Sequence, residues 1–185
     1  MVPITSLVLP ILLSAVFVFL ASSIIHMVLR YHAKDFRGVP DEDGMQDAFR
    51  QMKVAPGDYC VPYAGSMDAM KSPAFIEKVT KGPVVTMTVS AGGSMNMGGQ
   101  LMQWFLYSVV ISFVTAYLTG RVLQPGTDYL QVFRVAGTVT FMGYAMALPP
   151  MSIWYKRNWG TTFRSMLDGL LYALLTGGTF GWLWP

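Results

Sequence analysis

Residues 4–25 read ITSLVLPILLSAVFVFLASSII, and 14 of these 22 residues are Ile, Leu, Val or Phe. Each such side chain favours insertion at the bilayer centre by roughly 0.3–0.6 kcal/mol, so the stretch enters a membrane as a helix unaided. Neither Lys nor Arg precedes Arg30. The apolar run also exceeds the short hydrophobic region of a secretory leader, so the segment reads as a permanent anchor. Pro10 is expected to kink it or to break its hydrogen bonding.

Three more apolar blocks follow, at residues 101–119, 130–148 and 165–184. The whole chain is 53% apolar and 12% charged, with a mean hydropathy of +0.44. Soluble domains carry about 25% charged residues, and disordered chains are polar, so both classes are excluded. The net charge of +3 comes from Lys and Arg beside the blocks. A bilayer partner explains that charge, and nucleic acid is not required. Cys60 is the single cysteine, which excludes an internal disulfide and a multi-cysteine metal cluster. The fold class expected is an all-α integral membrane protein: a four-helix transmembrane bundle with a small α/β cytoplasmic insertion between helices 1 and 2. The divisions are 1–30 for the first helix, 31–98 for the insertion and 99–185 for helices 2 to 4.

Within the insertion, Asp41, Glu42 and Asp43 suit the start of a helix running to about residue 52, since acids favour the positive end of the dipole. Ser72-Pro73 reads as the cap and first residue of a second, short helix. Residues 84–90 (VVTMTVS) read as one strand. Residues 91–99 (AGGSMNMGG) read as a hinge. With so few large apolar residues the insertion is too thin to hold a core alone, so it needs the membrane helices or a partner to lie on. In the third block, Pro149-Pro150 is expected to stop the helix.

Four crossings place both termini on one side and the insertion on the other. Arg30, Lys34, Arg37, Lys81, Lys156, Arg157 and Arg164 flank the blocks on the insertion side, against Arg121 opposite. The positive-inside rule then puts residues 31–98 in the cytoplasm and both termini outside.

Helices associate in lipid through close packing, which needs small residues at helical spacing. The second block carries Ser108, Ser112, Ala116 and Gly120. The third carries Ala136, Thr140, Gly143 and Ala147. The fourth carries Ser165, Gly169, Ala173, Gly177 and Gly181. These stripes predict tight packing, inside the chain or against another subunit. The third and fourth blocks hold only seven Ile, Leu, Val or Phe residues each, and contain Arg134 and Asp168 respectively. Seven such residues give roughly 2–4 kcal/mol, about the cost of one central charge, so these two helices are expected to insert as a packed hairpin.

Arg134 and Asp168 do not read as partners. At 1.5 Å per residue they lie near opposite faces of a ~30 Å core, roughly 20 Å apart. Asp168 has nearer candidates in His26, Arg30 and Arg164, which together form an inner-face polar cluster. An Asp168–His26 contact is the arrangement a proton relay uses, although a satisfied interfacial cluster is the commoner outcome. Met67, Met70, Met87, Met95 and Met97, with Cys60, are soft ligands of the kind that hold Cu(I). Methionine as adaptable apolar filler is the ordinary explanation. Residues 91–99 lack the Gly-Lys-Ser/Thr ending of a phosphate loop, and no HExxH or GxSxG occurs. No catalytic residue, cofactor or metal site is therefore assigned.

The stretches 132–140 (VFRVAGTVT), 152–155 (SIWY) and 168–185 (DGLLYALLTGGTFGWLWP) resemble a group of small bacterial inner-membrane proteins of unknown function. The resemblance covers the whole chain and rests on packing and boundary residues. It implies a bacterial inner membrane and carries no activity with it. The function expected from the sequence is non-enzymatic: an accessory or scaffold subunit that packs with other membrane subunits or with itself in the lipid bilayer. The alternative is a small transporter or channel for a proton, ion or small solute.

Overall fold

A computed structural model describes residues 1–93 and 96–185. The chain divides into two compact units, Met1–Arg37 with Asn96–Pro185, and Gly38–Met95. The first unit contains α1 (Val8–Ser23), α5 (Gly98–Val122), α6 (Tyr129–Phe141), α7 (Pro149–Ile153) and α8 (Trp159–Trp182). The second contains α2 (Glu42–Gln51), β1 (Gly57–Val61), α3 (Met67–Met70), α4 (Pro73–Lys81) and β2 (Val85–Val89).

Three helical stretches are long and apolar enough to cross a membrane: Ile4–Leu29, Gly98–Val122 and Tyr129–Ile153. The sequence reading expected four. α8 matches the others in length at 24 residues, but its glycines, threonines and charged side chains leave it less apolar. Along the three spans, residues such as Leu9, Leu20, Phe113 and Leu130 are exposed. They form the lipid-facing surface when the helices are embedded.

Two expectations about proline are corrected. Pro10 falls in the first turn of α1, after a 3₁₀ turn over Ile4–Leu7. Its missing N–H costs nothing in a first turn, so the winding changes ahead of the helix and its middle is intact. Pro149 does not end the third helical stretch either. α6 widens into a π turn at Met142–Met146, and Pro149 then opens α7 from its first position, where proline is well tolerated. A second π turn, Ile24–Leu29, continues α1.

α6 packs along α8, and α1 packs against both α5 and α8. Ser108, Ser112, Ala116 and Gly120 lie buried on α5. A carbon added at Gly120 would stand 2.9 Å from the Val2 carbonyl oxygen. On α6, Ala136 and Thr140 are buried, and Gly143, in the following π turn, faces Ile111. Ala147 is exposed and takes no part in this packing. On α8, Gly169, Ala173 and Gly177 are buried, whereas Ser165 and Gly181 are partly so. Gly177 sits against the backbone of Phe133 and Gly137, and Gly181 against Tyr129. Gly120, Gly143, Gly169, Gly177 and Gly181 thus each face another segment of the same chain. Aliphatic packing around Leu7, Ile11, Val132 and Phe180 fills one end, and Val18, Ile25, Tyr144 and Tyr172 fill the other.

In the second unit, Asp41 caps α2 by accepting from the Gly44 amide at 2.9 Å, and Ser72 caps α4 by accepting from the Phe75 amide at 3.2 Å. Where one strand was expected there are two: β1 pairs antiparallel with β2, Gly57 opposite Val89 and Val61 opposite Val85. No described residue of 38–93 is buried.

Candidate functional site

α1 delivers its last side chains through the π turn at Ile24–Leu29, which ends at Arg30 in the left-handed region (φ 52°). This conformation is unfavourable for a side-chain-bearing residue, by roughly 1–2 kcal/mol. It reverses the chain so that residues 31–35 fold back onto the N-terminal part of α8. The reversal brings His32 and Asp35 to Asp168, more than 130 positions away in sequence.

His32 is the centre of the site. Its Nδ1 lies 2.6 Å from Asp35 Oδ2, and its Nε2 lies 2.8 Å from Asp168 Oδ2. Both carboxylates are almost wholly buried, their side chains 5% and 6% exposed. Arg164 Nε donates to Asp35 Oδ1 at 2.9 Å, Nη2 of Arg164 forms an ion pair with the same oxygen, and the Thr161 hydroxyl adds a third bond at 3.3 Å. Burial alone pushes the Asp35 carboxyl up. The hydrogen bonds and positive charges of His32 and Arg164 outweigh that and hold it below the ordinary carboxylate value.

His26 completes the cluster from the π turn. Its Nδ1–H donates to the Ser22 carbonyl at 2.9 Å. Its Nε2 stands 4.0 Å from Asp168 Oδ2, and its ring stacks on His32 with centroids 4.7 Å apart. Asp168 Oδ1 is buried and has no hydrogen-bond partner among the described residues.

His26 and Asp168 also line a cleft of about 480 Å³ whose walls include Trp104, Tyr107, Tyr144 and Tyr172. Trp104 Nε1 donates to the Ser22 hydroxyl at 2.8 Å, fixing α5 against α1 beside the cluster. Tyr144 stands on the π turn at Met142–Met146, so each π turn of the bundle contributes a wall residue. Such turns recur at functional sites because they break the side-chain spacing of a regular helix.

The sequence reading grouped His26, Arg30, Arg164 and Asp168. In the structure His26 does approach Asp168, whereas Arg164 turns to Asp35, and Arg30 is exposed and forms no ion pair among the described residues. His32 and Asp35 were missed. Their i, i+3 spacing across the end of an apolar block was the one local signal available. Arg134 is exposed and unpaired among the described residues. Of the sulfur ligands, Met67, Met70 and Met97 are exposed, and Cys60 pairs with Thr86 while Met87 pairs with Tyr59, which puts Cys60 and Met87 on opposite faces of the strand pair. Met95 lies outside the described residues.

Chemically, a histidine held by a carboxylate at each ring nitrogen accepts a proton on one side and releases one on the other. No family model, curated protein or solved structure matches this chain.

Proposed function

We propose that this is a non-enzymatic, multi-pass membrane protein of the bacterial inner membrane that passes protons through its helix bundle. α8 is the fourth crossing in this reading, made tolerable by burying Asp168 against His32. The basic residues flanking the spans favour an orientation with the Asp35–His32–Asp168 chain toward the cytoplasm and both termini outside. The observation that carries the reading is that chain of hydrogen bonds, in a bundle that also holds a series of buried hydroxyls. Ser14, Ser112, Thr119 and Thr176 are buried with no side-chain hydrogen-bond partner among the described residues. Thr176 lies about 12 Å along α8 from Asp168, and Thr119 lies about 10 Å along α5 from Ser112, at 1.5 Å per residue. A buried hydroxyl without a partner costs about 1–3 kcal/mol. Water bridging restores that loss and supplies a path along which protons hop.

The test is proton flux in liposomes reconstituted with the purified full-length chain and loaded with a pH-sensitive dye. The parent is expected to dissipate an imposed pH gradient, and Asp168→Asn and His32→Gln are expected to reduce that flux at least tenfold. A parent without flux, or variants that conduct like it, overturns the proposal. A second reading, an accessory subunit, draws on a different observation. Tyr63, Met67, Ile76 and Val84 are exposed in a unit with no buried described residue, which suits a segment covered by a partner protein. Co-purification at fixed stoichiometry in mild detergent supports that alternative.

A further inference from the structure

Both histidines of the cluster are oriented in the same way. Each commits its Nδ1 to an outer acceptor, Asp35 for His32 and the Ser22 carbonyl for His26. Each therefore leaves its Nε2 free on the side of Asp168 Oδ2, which lies 2.8 Å from His32 Nε2 and 4.0 Å from His26 Nε2. Metal-binding histidines are held like this, with one ring N–H donated to a carboxylate or backbone carbonyl so that the other nitrogen points its lone pair inward. One ligand atom from each of His26, His32 and Asp168 lies within 4.8 Å of the other two. The buried Asp168 carboxylate also keeps one oxygen without a hydrogen-bond partner among the described residues.

We propose that His26, His32 and Asp168 bind a divalent first-row transition-metal ion of the zinc class, through two imidazole nitrogens and one carboxylate. The donor set argues for this class: hard ions such as calcium and magnesium take oxygen cages, whereas two imidazoles and a carboxylate suit zinc, cobalt or nickel. Metal–ligand bonds of about 2.0–2.2 Å require donor atoms roughly 3–3.5 Å apart. The 2.8 Å His32–Asp168 contact must open slightly, and His26, stacked parallel on His32, must tilt out of that stack so that its Nε2 closes on both Asp168 and the ion. His26 can make that movement. Its side chain is 52% exposed, and it stands on a π turn. The remaining coordination position faces the cleft that His26 and Asp168 line, leaving room for water or a small anion. Bound metal replaces the His32–Asp168 hydrogen bond, so metal occupancy and proton passage through His32 exclude one another. The metal site itself goes beyond the proton reading and stands without it.

The experiment is a Co²⁺ titration of the chelator-stripped, full-length protein in mild detergent. It is followed by visible d–d absorption, with Zn²⁺ as competitor and metal content measured after gel filtration. The expected result is one Co²⁺ per chain with the spectrum of a low-symmetry nitrogen–oxygen site, displaced by Zn²⁺. His26→Ala removes a half-exposed side chain and leaves the buried Asp35–His32–Asp168 bonds in place, so it serves as the well-folded variant. It is expected to weaken Co²⁺ binding about 100-fold, and Asp35→Asn, acting through His32, about 10- to 100-fold. Absence of cobalt bands in the parent, or affinity unchanged in His26→Ala, overturns the inference. Because binding is read in detergent without a gradient, it fails or holds separately from flux. Zn²⁺-insensitive flux in a protein that binds Zn²⁺ at this site would overturn the mutual exclusion.

Discussion

Gly177→Ala tests the packing of α8 on α6 at its closest backbone contact. A carbon added at Gly177 stands 2.9 Å from the Phe133 carbonyl oxygen and 3.2 Å from both the Cα and the amide nitrogen of Gly137. All three are backbone atoms of α6, so no side-chain rotation relieves the contact. The helices must part by about half an ångström to regain ordinary contact near 3.5 Å. Gly178→Ala supplies the control one residue on, where the added carbon meets only the Tyr129 phenol oxygen, at 3.6 Å. Both substitutions gain the same helix propensity, about 1 kcal/mol for Ala over Gly. Only Gly177→Ala carries an overpacking cost, typically about 1–3 kcal/mol. Gly177→Ala is therefore expected to be the less stable of the pair by about 1–3 kcal/mol. Unfolding of the purified protein by SDS titration in mixed micelles, followed by tryptophan fluorescence, measures the difference. Equal midpoints for the two variants, or a more stable Gly177→Ala, would refute the claim that backbone contact at Gly177 sets the helix separation.

Asp35 links stability to pH. Its folded value lies below the ordinary 3.8, so its contribution is complete above that value and is lost as pH falls through the lower folded one. Thermal melts should show the parent losing stability over that acid window, with the loss diminished in Asp35→Asn. At Arg30, glycine tolerates the left-handed backbone that arginine adopts at φ 52°. Arg30→Gly should raise the unfolding free energy by up to about 1 kcal/mol while leaving metal binding and flux unchanged; a marked loss of either would show that the Arg30 side chain serves the site directly. The buried Thr115–Thr140 hydroxyl pair, 3.0 Å apart, joins α5 to α6. A double-mutant cycle with Thr115→Val and Thr140→Val should give a coupling energy of about 0.6 kcal/mol, up to ~1.7, and zero coupling would mean the bond is not formed in the membrane.

The division between what sequence determines and what folding determines follows the range of the interactions. Which small residues share a helix face is a property of the 3.6-residue repeat, so most of the residues at the α5, α6 and α8 contacts are readable as stripes. The same holds for the caps at Asp41 and Ser72, whose bonds reach only three residues. β1 escaped because GDYCV has no alternating pattern of its own, and it becomes a strand through a ladder formed with β2 some 28 positions later. The π turns at His26 and Tyr144 escaped for a related reason: local propensity favours the regular helix, and only packing against neighbouring helices selects the wider turn. His32 and Asp35 look in sequence like the first polar residues after a span. They become a site because the chain reverses at Arg30 and returns to α8, where burial beside Asp168 turns weak exposed pairs into strong, partly desolvated hydrogen bonds. Helix faces and caps are written in the local chain. The histidine–carboxylate cluster exists only once segments 136 positions apart are brought together away from water.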